Sequence, residues 1–254
     1  MVRRPIALLG GALLGFAACS ASPQATTPLP GPGASGLATP LPPAYTLRTD
    51  GAQGFSLGVP DAWDYVVRDS ATFEADLRTV AQHSPELAAY FRQSFTSDAQ
   101  VRLLAADSRS VATGFTANVQ VMASDLGPAA SAPSLTELAD AKVRRLTQET
   151  TVTHPVKRTA DHLSGLPAVR IEYTLAGAAN NPVIRSYLVV VVRGGRRYEY
   201  ELTMGALGEA AGTTFENLGR LFTLFTPTTA SATTRPAAPS PGGGNPRGAS
   251  PNQQ

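Results

Sequence analysis

The sequence predicts an α+β fold in which helices pack on an antiparallel sheet. The first observation is that predicted strands come in consecutive runs, which is typical of hairpins and not of a doubly wound parallel sheet. The second is that four segments carry apolar residues at helical spacing. The third is the segment RSYLVVVVRGGRRYEYEL at 185–202, where two β-rich runs flank Gly194-Gly195, as in a two-residue hairpin.

The folded region is predicted to begin with a hairpin and two helices. The segments 45–48 and 55–59 are short strands, because the turn-rich sequence TDGAQG separates them. Apolar residues at helical spacing then extend over 70–95 and are interrupted at Ser84-Pro85. Serine as N-cap with proline at the first helical position is a helix start signal, so we predict two consecutive helices here.

The middle of the chain is predicted to contain two strands and a helix. Residues 101–106 form a candidate buried strand. The next strand alternates apolar and polar residues, with its apolar positions at Phe115, Ala117, Val119 and Val121. Ser134 and Glu137 form a capping box before the helix. The apolar positions on one face of that helix are Leu135, Leu138, Ala139, Val143 and Leu146.

The last third is predicted to contain two hairpins and a helix. Residues 154–160 and 166–175 are strands, and TADHLSG lies between them as a hairpin turn. The Gly-Gly turn pairs Val191 with Tyr198 and Val189 with Tyr200 on a core face, while Glu199 and Glu201 lie on a mixed face. A final helix is predicted from about Thr214, with a buried face of Phe215, Leu218, Leu221, Phe222 and Phe225.

The N-terminus has the organisation of an export signal. Arg3 and Arg4 precede an apolar run over 6–18, which is within the ~7–15 residues of a signal-peptide core and shorter than a membrane span. The run ends in Ala-Ala before Cys19, which resembles the lipobox of bacterial prolipoproteins, although Phe16 stands where the usual box has leucine. The resemblance implies cleavage before Cys19 and a lipid on its sulfur. An ordinary secretory signal is the alternative.

Two segments rich in Pro, Gly, Ser and Thr flank the predicted domain. We assign 1–18 to the signal peptide, 19–44 to a lipidated cysteine and tether, 45–226 to the globular domain and 227–254 to a disordered tail. Such compositions hold too few large apolar groups to offset the entropy of ordering. Passive spacing of the domain from the membrane is the favoured role, and recruitment of a partner is the alternative.

Several segments of the folded region resemble the LpqN/LpqT-type bacterial lipoproteins. They are GFSLGVPDAW at 54–63, RLLAAD at 102–107, ANVQV at 117–121, SLTEL at 134–138, GLPAVRIEYTL at 165–175 and YEYELT at 198–203. The resemblance implies an envelope lipoprotein whose domain is a PsbP/Mog-like α-β-α sandwich. These segments are structural signatures, so the resemblance concerns fold and location more than activity.

Composition and motifs exclude several classes of function. The chain carries 21 Lys and Arg against 19 Asp and Glu, and the basic residues are dispersed, so we predict no nucleic acid partner. The single cysteine excludes an intrachain disulfide. The sequence contains no phosphate-binding glycine loop, metal-ligand spacing or hydrolase signature. We therefore predict a protein without catalytic residues, cofactor or metal. The alternative is an envelope hydrolase or lipid-processing enzyme using His83, His154 or His162 as proton carrier.

Two groups of residues are candidates for a binding surface. Trp63 and Tyr65 follow the second strand and either form the lip of a ligand groove or fill the core and its rim. Arg193, Arg196 and Arg197 surround the Gly-Gly turn and either keep the hairpin tip solvated or contact phospholipid head groups or anionic wall polymer. The favoured function is a membrane-anchored extracytoplasmic lipoprotein that binds a protein or a small envelope component.

Overall fold

The computed structural model describes residues 40–177, 181–208 and 210–227, so the predicted signal, Cys19, most of the tether and the tail lie outside the described residues. The strands are β1 (Tyr45–Asp50), β2 (Phe55–Pro60), β3 (Asp64–Val67), β4 (Val101–Ala106), β5 (Asn118–Pro128), β6 (Val152–Leu163), β7 (Leu166–Leu175), β8 (Val183–Arg193), β9 (Arg196–Ala206) and β10 (Phe222–Leu224). The helices are α1 (Phe73–His83), α2 (Pro85–Ser97), α3 (Leu135–Gln148) and α4 (Ala210–Arg220), with a 3-10 helix at Ser108–Thr113. Across these described ranges, no helix is long and apolar enough to cross a membrane.

The strands form two antiparallel sheets, which confirms the α+β class. The large sheet has seven strands in the order β3-β4-β5-β9-β8-β7-β6, and the small sheet has the order β1-β2-β10. The sequence predicted one sheet only. The small sheet exists because β2 pairs with β1 on one side and with the distant strand β10 on the other.

The hairpin β8–β9 has the register that the two-residue loop predicts. Val191 lies opposite Tyr198, and Val189 lies opposite Tyr200. Gly194 and Gly195 both have positive φ, at 53° and 74°, as a type I′ turn requires. The alternation along β9 consequently places Tyr200 in the core and its neighbouring glutamates on the opposite face of the sheet.

One face of the large sheet, which we call the α4 face, packs against α4 and the small sheet. The rings of Phe55 on β2 and Phe222 on β10 stack with centroids 6.0 Å apart. Phe55 also meets Tyr200 of β9 edge-on at 6.5 Å. All three side chains are fully buried, and aromatic burial of this kind holds the two sheets together.

Two groups of helices cover the opposite face, which we call the α3 face. Helices α1 and α2 pack on β3 and β4 around Phe91 and Leu104, whereas α3 packs on β6, β7 and β8 around Ala139 and Ile171. The central strands β5 and β9 lie between these two groups. Their residues on this face are largely polar and include Asn118, Gln120, Ser124, Glu199, Glu201 and Thr203.

Both predicted helix starts are confirmed. The hydroxyl of Ser84 accepts a hydrogen bond from Leu87 N at 3.3 Å, with Pro85 at the first position of α2. Ser134 and Glu137 form the reciprocal capping box of α3, in which Glu137 N donates to Ser134 Oγ at 3.2 Å and Ser134 N donates to Glu137 Oε2 at 2.8 Å. These contacts satisfy backbone amides that a helix start leaves without partners.

The predicted final helix begins and ends earlier in the chain than its apolar spacing indicates, because α4 starts at Ala210 and not at about Thr214. Helix α4 ends at Arg220, and Phe222–Leu224 form strand β10 against β2. Leu221, Phe222 and Leu224 are all buried, but Leu221 lies in the turn after α4 and the other two lie in β10, so none of the three belongs to a helix. Closely spaced apolar residues fit either period over so short a segment, and the available edge of β2 decides the outcome.

Three further boundaries differ from the predictions. The short strand β3, which contains Tyr65, was not predicted, and Phe115 lies before β5 and packs on the α3 side. His162 belongs to β6 and not to a turn, because Ser164 and Gly165, with φ of 56° and 74°, form the whole two-residue loop.

Candidate functional site

An open cleft lies between the start of α3 and the hairpin β6–β7. Its volume is about 430 Å³. Its floor is mainly apolar, and its polar groups come from β6 and from the first turn of α3. The lining residues are Leu135, Thr136, Arg158, Ala160, Asp161, His162, Pro167, Ala168 and Val169. An apolar cavity with a few convergent polar groups is the usual form of a binding site.

The register of the β6–β7 hairpin brings these residues together. Ala160 lies opposite Val169, and His162 lies opposite Pro167. Side chains alternate along a strand, so Arg158, Ala160 and His162 all project from the α3 face. Helix α3 packs on the same two strands, and its first turn closes one side of the cleft.

Two cationic or hydrogen-bonding side chains lie at the rim of the cleft. Arg158 Nη1 is 3.2 Å from Asp140 Oδ1 on α3, and both side chains are more than a third exposed. The imidazole of His162 is exposed as well. The carboxylate of Asp161 is engaged elsewhere: it lies 3.2 Å from Arg170 and accepts a hydrogen bond from His162 N at 2.8 Å. The cleft therefore offers hydrogen-bond donors to an anionic or polar ligand group.

A second polar cluster lies at the centre of the α3 face, on β5 and β9 between the two groups of helices. Lys142 on α3 donates a hydrogen bond to Oε1 of Glu201, which also accepts one from Thr203. Gln100, Met122, Ser124, Glu199 and Glu201 surround a cavity of about 20 Å³ there. A space of this size holds one water molecule and is too small for a larger ligand.

The two glutamates of this cluster titrate in opposite directions. Burial, together with the charge of Glu201, raises the pKa of Glu199 to about 7, against the opposing charges of Lys142 and Arg145. Burial also acts to raise the pKa of Glu201, but the charge and hydrogen bond of Lys142 and the hydrogen bond of Thr203 lower it below its usual value. At mildly acidic pH, β9 therefore carries a protonated carboxyl at Glu199 and an ionised carboxylate at Glu201.

The histidines lie apart from one another. His83 Nδ1 is 3.4 Å from Asp64 Oδ1, at the junction of α1 and α2, and its side chain is 60% exposed. Asp64 is largely buried, and the structure of the described residues provides no hydrogen-bond partner for its Oδ2. His162 lines the cleft, and the side chain of His154 lies outside what the structure describes.

The predicted aromatic pair is divided between the core and its rim. Trp63 is 9% exposed and belongs to the main core on the α4 face. Tyr65 is half-buried, and the guanidinium carbon of Arg48 lies 3.6 Å from the centre of its ring. Neither residue lines the cleft.

The three arginines of the hairpin do not act as one basic cluster. Arg193 donates to the carbonyl of Gln53 at 3.0 Å and lies over the ring of Tyr200 at 5.1 Å. Arg196 is exposed and bonds Asp125 at 2.8 Å. Arg197 is buried and donates from Nη1 to the carbonyls of two residues, Ala132 and Pro133, before α3. The three charges lie within five residues of the sequence, but strand alternation and the turn place their side chains in different surroundings.

The sequence predicted His162 only as one of three candidate proton carriers and missed its neighbours in the cleft. Arg158 and Thr136 were not recognised, because they carry no motif and lie on separate elements. The signal that could have found Arg158 is the period of two counted back from the Ser164-Gly165 turn. Among the described residues, no group of three or more His, Cys, Asp and Glu side chains is close enough to hold a metal ion.

No protein family model matches the chain, and no curated protein matches it either. Some solved structures are similar to it. LpqN of Mycobacterium tuberculosis, described as involved in cell envelope biogenesis, is 13% identical with a TM-score of 0.48, over 72% of this chain and 91% of that chain. A Bacteroides thetaiotaomicron protein is 12% identical with a TM-score of 0.31, over 70% of this chain and 47% of that chain. PA94 of Pseudomonas aeruginosa, a protein of unknown function, is 15% identical with a TM-score of 0.25, over 68% of this chain and 89% of that chain. At TM-scores this low, the likenesses establish neither fold nor function.

Proposed function

We propose that this protein is a lipid-anchored, extracytoplasmic protein of the bacterial cell envelope that binds a protein or a small envelope component without catalysing a reaction. The observation that carries the proposal is the N-terminal sequence, in which Arg3, Arg4 and the apolar run 6–18 end at Cys19. The cleft between α3 and β6–β7 is the proposed binding site. A PsbP/Mog-like α-β-α sandwich is the proposed architecture of the domain.

Lipidation of Cys19 is the step that would retain the protein at a membrane. Each buried CH₂ of an acyl chain contributes about 0.8 kcal/mol, and a single chain binds only reversibly, so a diacylglycerol makes a more stable anchor. We expect Cys19→Ala to move the protein from the membrane fraction to the soluble extracytoplasmic fraction, and globomycin to leave the precursor uncleaved. Unchanged membrane retention of the C19A variant would contradict the anchor.

The binding role of the cleft can be tested in the cell by site-specific photocrosslinking. A photoreactive phenylalanine analogue at Thr136 lies in the cleft, whereas the same group at Thr147 lies exposed near the other end of α3. We expect an adduct from position 136 and none, or a different one, from position 147. The same adduct from both positions, or none from position 136, would count against a ligand in the cleft.

An enzymatic role is the second candidate, and the observation that favours it is the contact between His83 and Asp64. A largely buried carboxylate 3.4 Å from an exposed imidazole can hold that ring in one orientation, as a proton-transfer pair requires. Alanine variants of His83, His154 and His162 separate the two roles. A binding protein is expected to keep its cellular phenotype in the H83A variant, and an enzyme that uses this pair is expected to lose it.

A further inference from the structure

The outer edge of β6 carries backbone groups that are not paired within the sheet. Strand β6 ends the order of the large sheet. Because a two-residue loop joins Leu163 to Leu166, these two residues form a hydrogen-bonded pair, and such pairs alternate along the ladder. Asp161 and Thr159 therefore bond to β7, whereas the N–H and C=O groups of Arg158 and Ala160 point away from it. Among the described residues, no backbone or side-chain group bonds to those outward groups.

Two of the features that usually block a sheet edge, a proline and an irregular register, lie in the first half of β6. Pro155 and the register shift between Thr153 and Lys157 disrupt that half. Proline, lysine and bulges are the common devices that prevent strand addition. From Arg158 to Leu163 the pairing with β7 is regular, so this half of the edge keeps the geometry to accept another strand.

The same residues that expose their backbones also line the cleft. Ala160 is small and lies between the side chains of Arg158 and His162 on the α3 face. The first turn of α3, with Leu135 and Thr136, stands on the other side of the cleft. A peptide strand added along β6 would thus form hydrogen bonds with the outer edge of β6. Every second side chain of that peptide would enter the cleft beside α3. This combination is a known mode of peptide recognition by strand addition.

The hydrogen-bond donors of the cleft fit an acidic side chain, once Arg158 has turned away from Asp140. Both side chains of the Arg158–Asp140 ion pair are partly exposed to solvent, and such pairs contribute little free energy. The guanidinium of Arg158 can therefore turn to a ligand. His162 can donate a hydrogen bond from its ring, and Thr136 from its hydroxyl. The carboxylate of Asp161, which could repel an acidic ligand, is held by Arg170.

We propose that the cleft binds an extended peptide segment of a partner protein, which adds to β6 as a further strand and directs an acidic side chain to Arg158 and His162. The proposal rests on the proposed function, in which the cleft is the binding site. It makes the ligand a polypeptide in which the backbone supplies affinity and one carboxylate supplies specificity.

The test uses the full chain in detergent and a defined synthetic peptide. The probe is acetylated and amidated, alternates valine with threonine, and carries one central glutamate. A second peptide has glutamine in place of the glutamate, and a third has N-methyl groups on alternate backbone nitrogens. Amide hydrogen exchange reports the location, and we expect the first peptide to slow exchange at Arg158 and Ala160. The N-methylated peptide is expected to bind at least about tenfold more weakly, since it lacks the donors for the edge.

Two variants test the same contacts from the protein. Ala160→Pro removes an outward N–H without removing a hydrogen bond to β7. It is expected to weaken binding of the glutamate peptide at least about tenfold. Ala160→Ser keeps the N–H and is the matched control. Arg158→Gln is expected to weaken binding of the glutamate peptide about threefold to fivefold and to leave the affinity for the glutamine peptide unchanged.

The outcomes separate this inference from the proposed function. Binding with protection at Arg158 and Ala160, lost in A160P and kept in A160S, supports strand addition. Equal binding of the N-methylated peptide, protection at a different place, or absence of peptide binding overturns it. If position 136 still crosslinks a ligand in the cell in any of these cases, the proposed function stands while strand addition fails.

Discussion

Lys142 on α3 and Glu201 on β9 form an ion pair at the centre of the large sheet, although they lie 59 positions apart in the chain. The lysine side chain is 9% exposed and the glutamate side chain 16% exposed. Thr203 donates a second hydrogen bond to the same carboxylate. The pair therefore fixes α3 against a strand with which it shares little apolar contact.

Removal of Lys142 is expected to destabilise the protein. Lys142→Met leaves the carboxylate of Glu201 largely buried without its cation, and breaking a buried pair in this way costs several kcal/mol. Because Glu201 keeps some contact with solvent, we expect a loss of about 2 to 4 kcal/mol in urea unfolding. A double-mutant cycle with Glu201→Leu provides the control. Purely additive losses would show that the two side chains do not interact.

Glu199 is expected to make stability depend on pH. Its pKa in the folded protein is about 7, above the value of about 4.3 for an unfolded chain, so the folded state binds more protons between these pH values. Stability from this group is fully present below about pH 4.3 and is lost as the pH rises through about 7. Glu201, Lys142 and Arg145 are the charged groups that act on it.

The measurement is urea unfolding of the native protein and of Glu199→Gln between about pH 4.5 and 8. At about 1.4 kcal/mol per pKa unit, the native protein is expected to lose up to about 3 kcal/mol relative to the variant across this window. Glu74→Gln, a change at an exposed carboxylate on α1, is the control and is expected to follow the native curve. A parallel curve for E199Q would contradict the raised pKa.

Arg197 and Arg196 are expected to differ in their effect on stability, although they are adjacent. Arg197→Ala removes a buried guanidinium that donates to the carbonyls of Ala132 and Pro133, and leaves those oxygens without a protein partner. We expect a loss of about 2 to 4 kcal/mol by thermal or urea unfolding. Arg196→Ala removes an exposed side chain that pairs with Asp125 and contacts Tyr198, and it should cost less than about 1 kcal/mol. Similar effects of both changes would disagree with the structure.

Gly54 and Gly51, in the connection between β1 and β2, are expected to respond differently to alanine. Gly54 has φ of 73°, and a Cβ there would fall on the carbonyl oxygen of Phe225 and within 2.9 Å of the ring of Pro227. Gly54→Ala is therefore expected to cost at least about 2 kcal/mol. Gly51→Ala meets no atom within 4 Å and is the matched control. Equal unfolding midpoints for both variants would contradict the close approach.

Some features of the fold followed from local sequence. The caps at Ser84 and Ser134, the Gly194-Gly195 turn and the alternation along β8 and β9 were predicted, because each depends on residues close together in the chain. The prediction that His162 lies in a turn was wrong. The polar residues around it and the following Ser-Gly both favour a turn, but the pairing with β7 keeps His162 in the strand.

The candidate site was accessible to sequence reasoning only in part. His162 was named as a candidate, but the cleft also requires Arg158 on the same strand and Thr136 on a helix. The arginines near the Gly-Gly turn were predicted as one candidate binding group, but Arg197 is a buried structural residue. The sequence shows which charged residues are close together along the chain. It does not show which of their side chains become buried in the fold.

Short-range spacing and capping were sufficient to predict the α+β class, the starts of α2 and α3 and the register of the long hairpin, because the energies involved act within a few residues. Pairings between distant segments established the rest. The strand β10, the cleft at the start of α3 and the contact of Lys142 with Glu201 each join residues far apart in the chain. Such contacts form only when the packing of the core brings the segments together, so no local pattern specifies them.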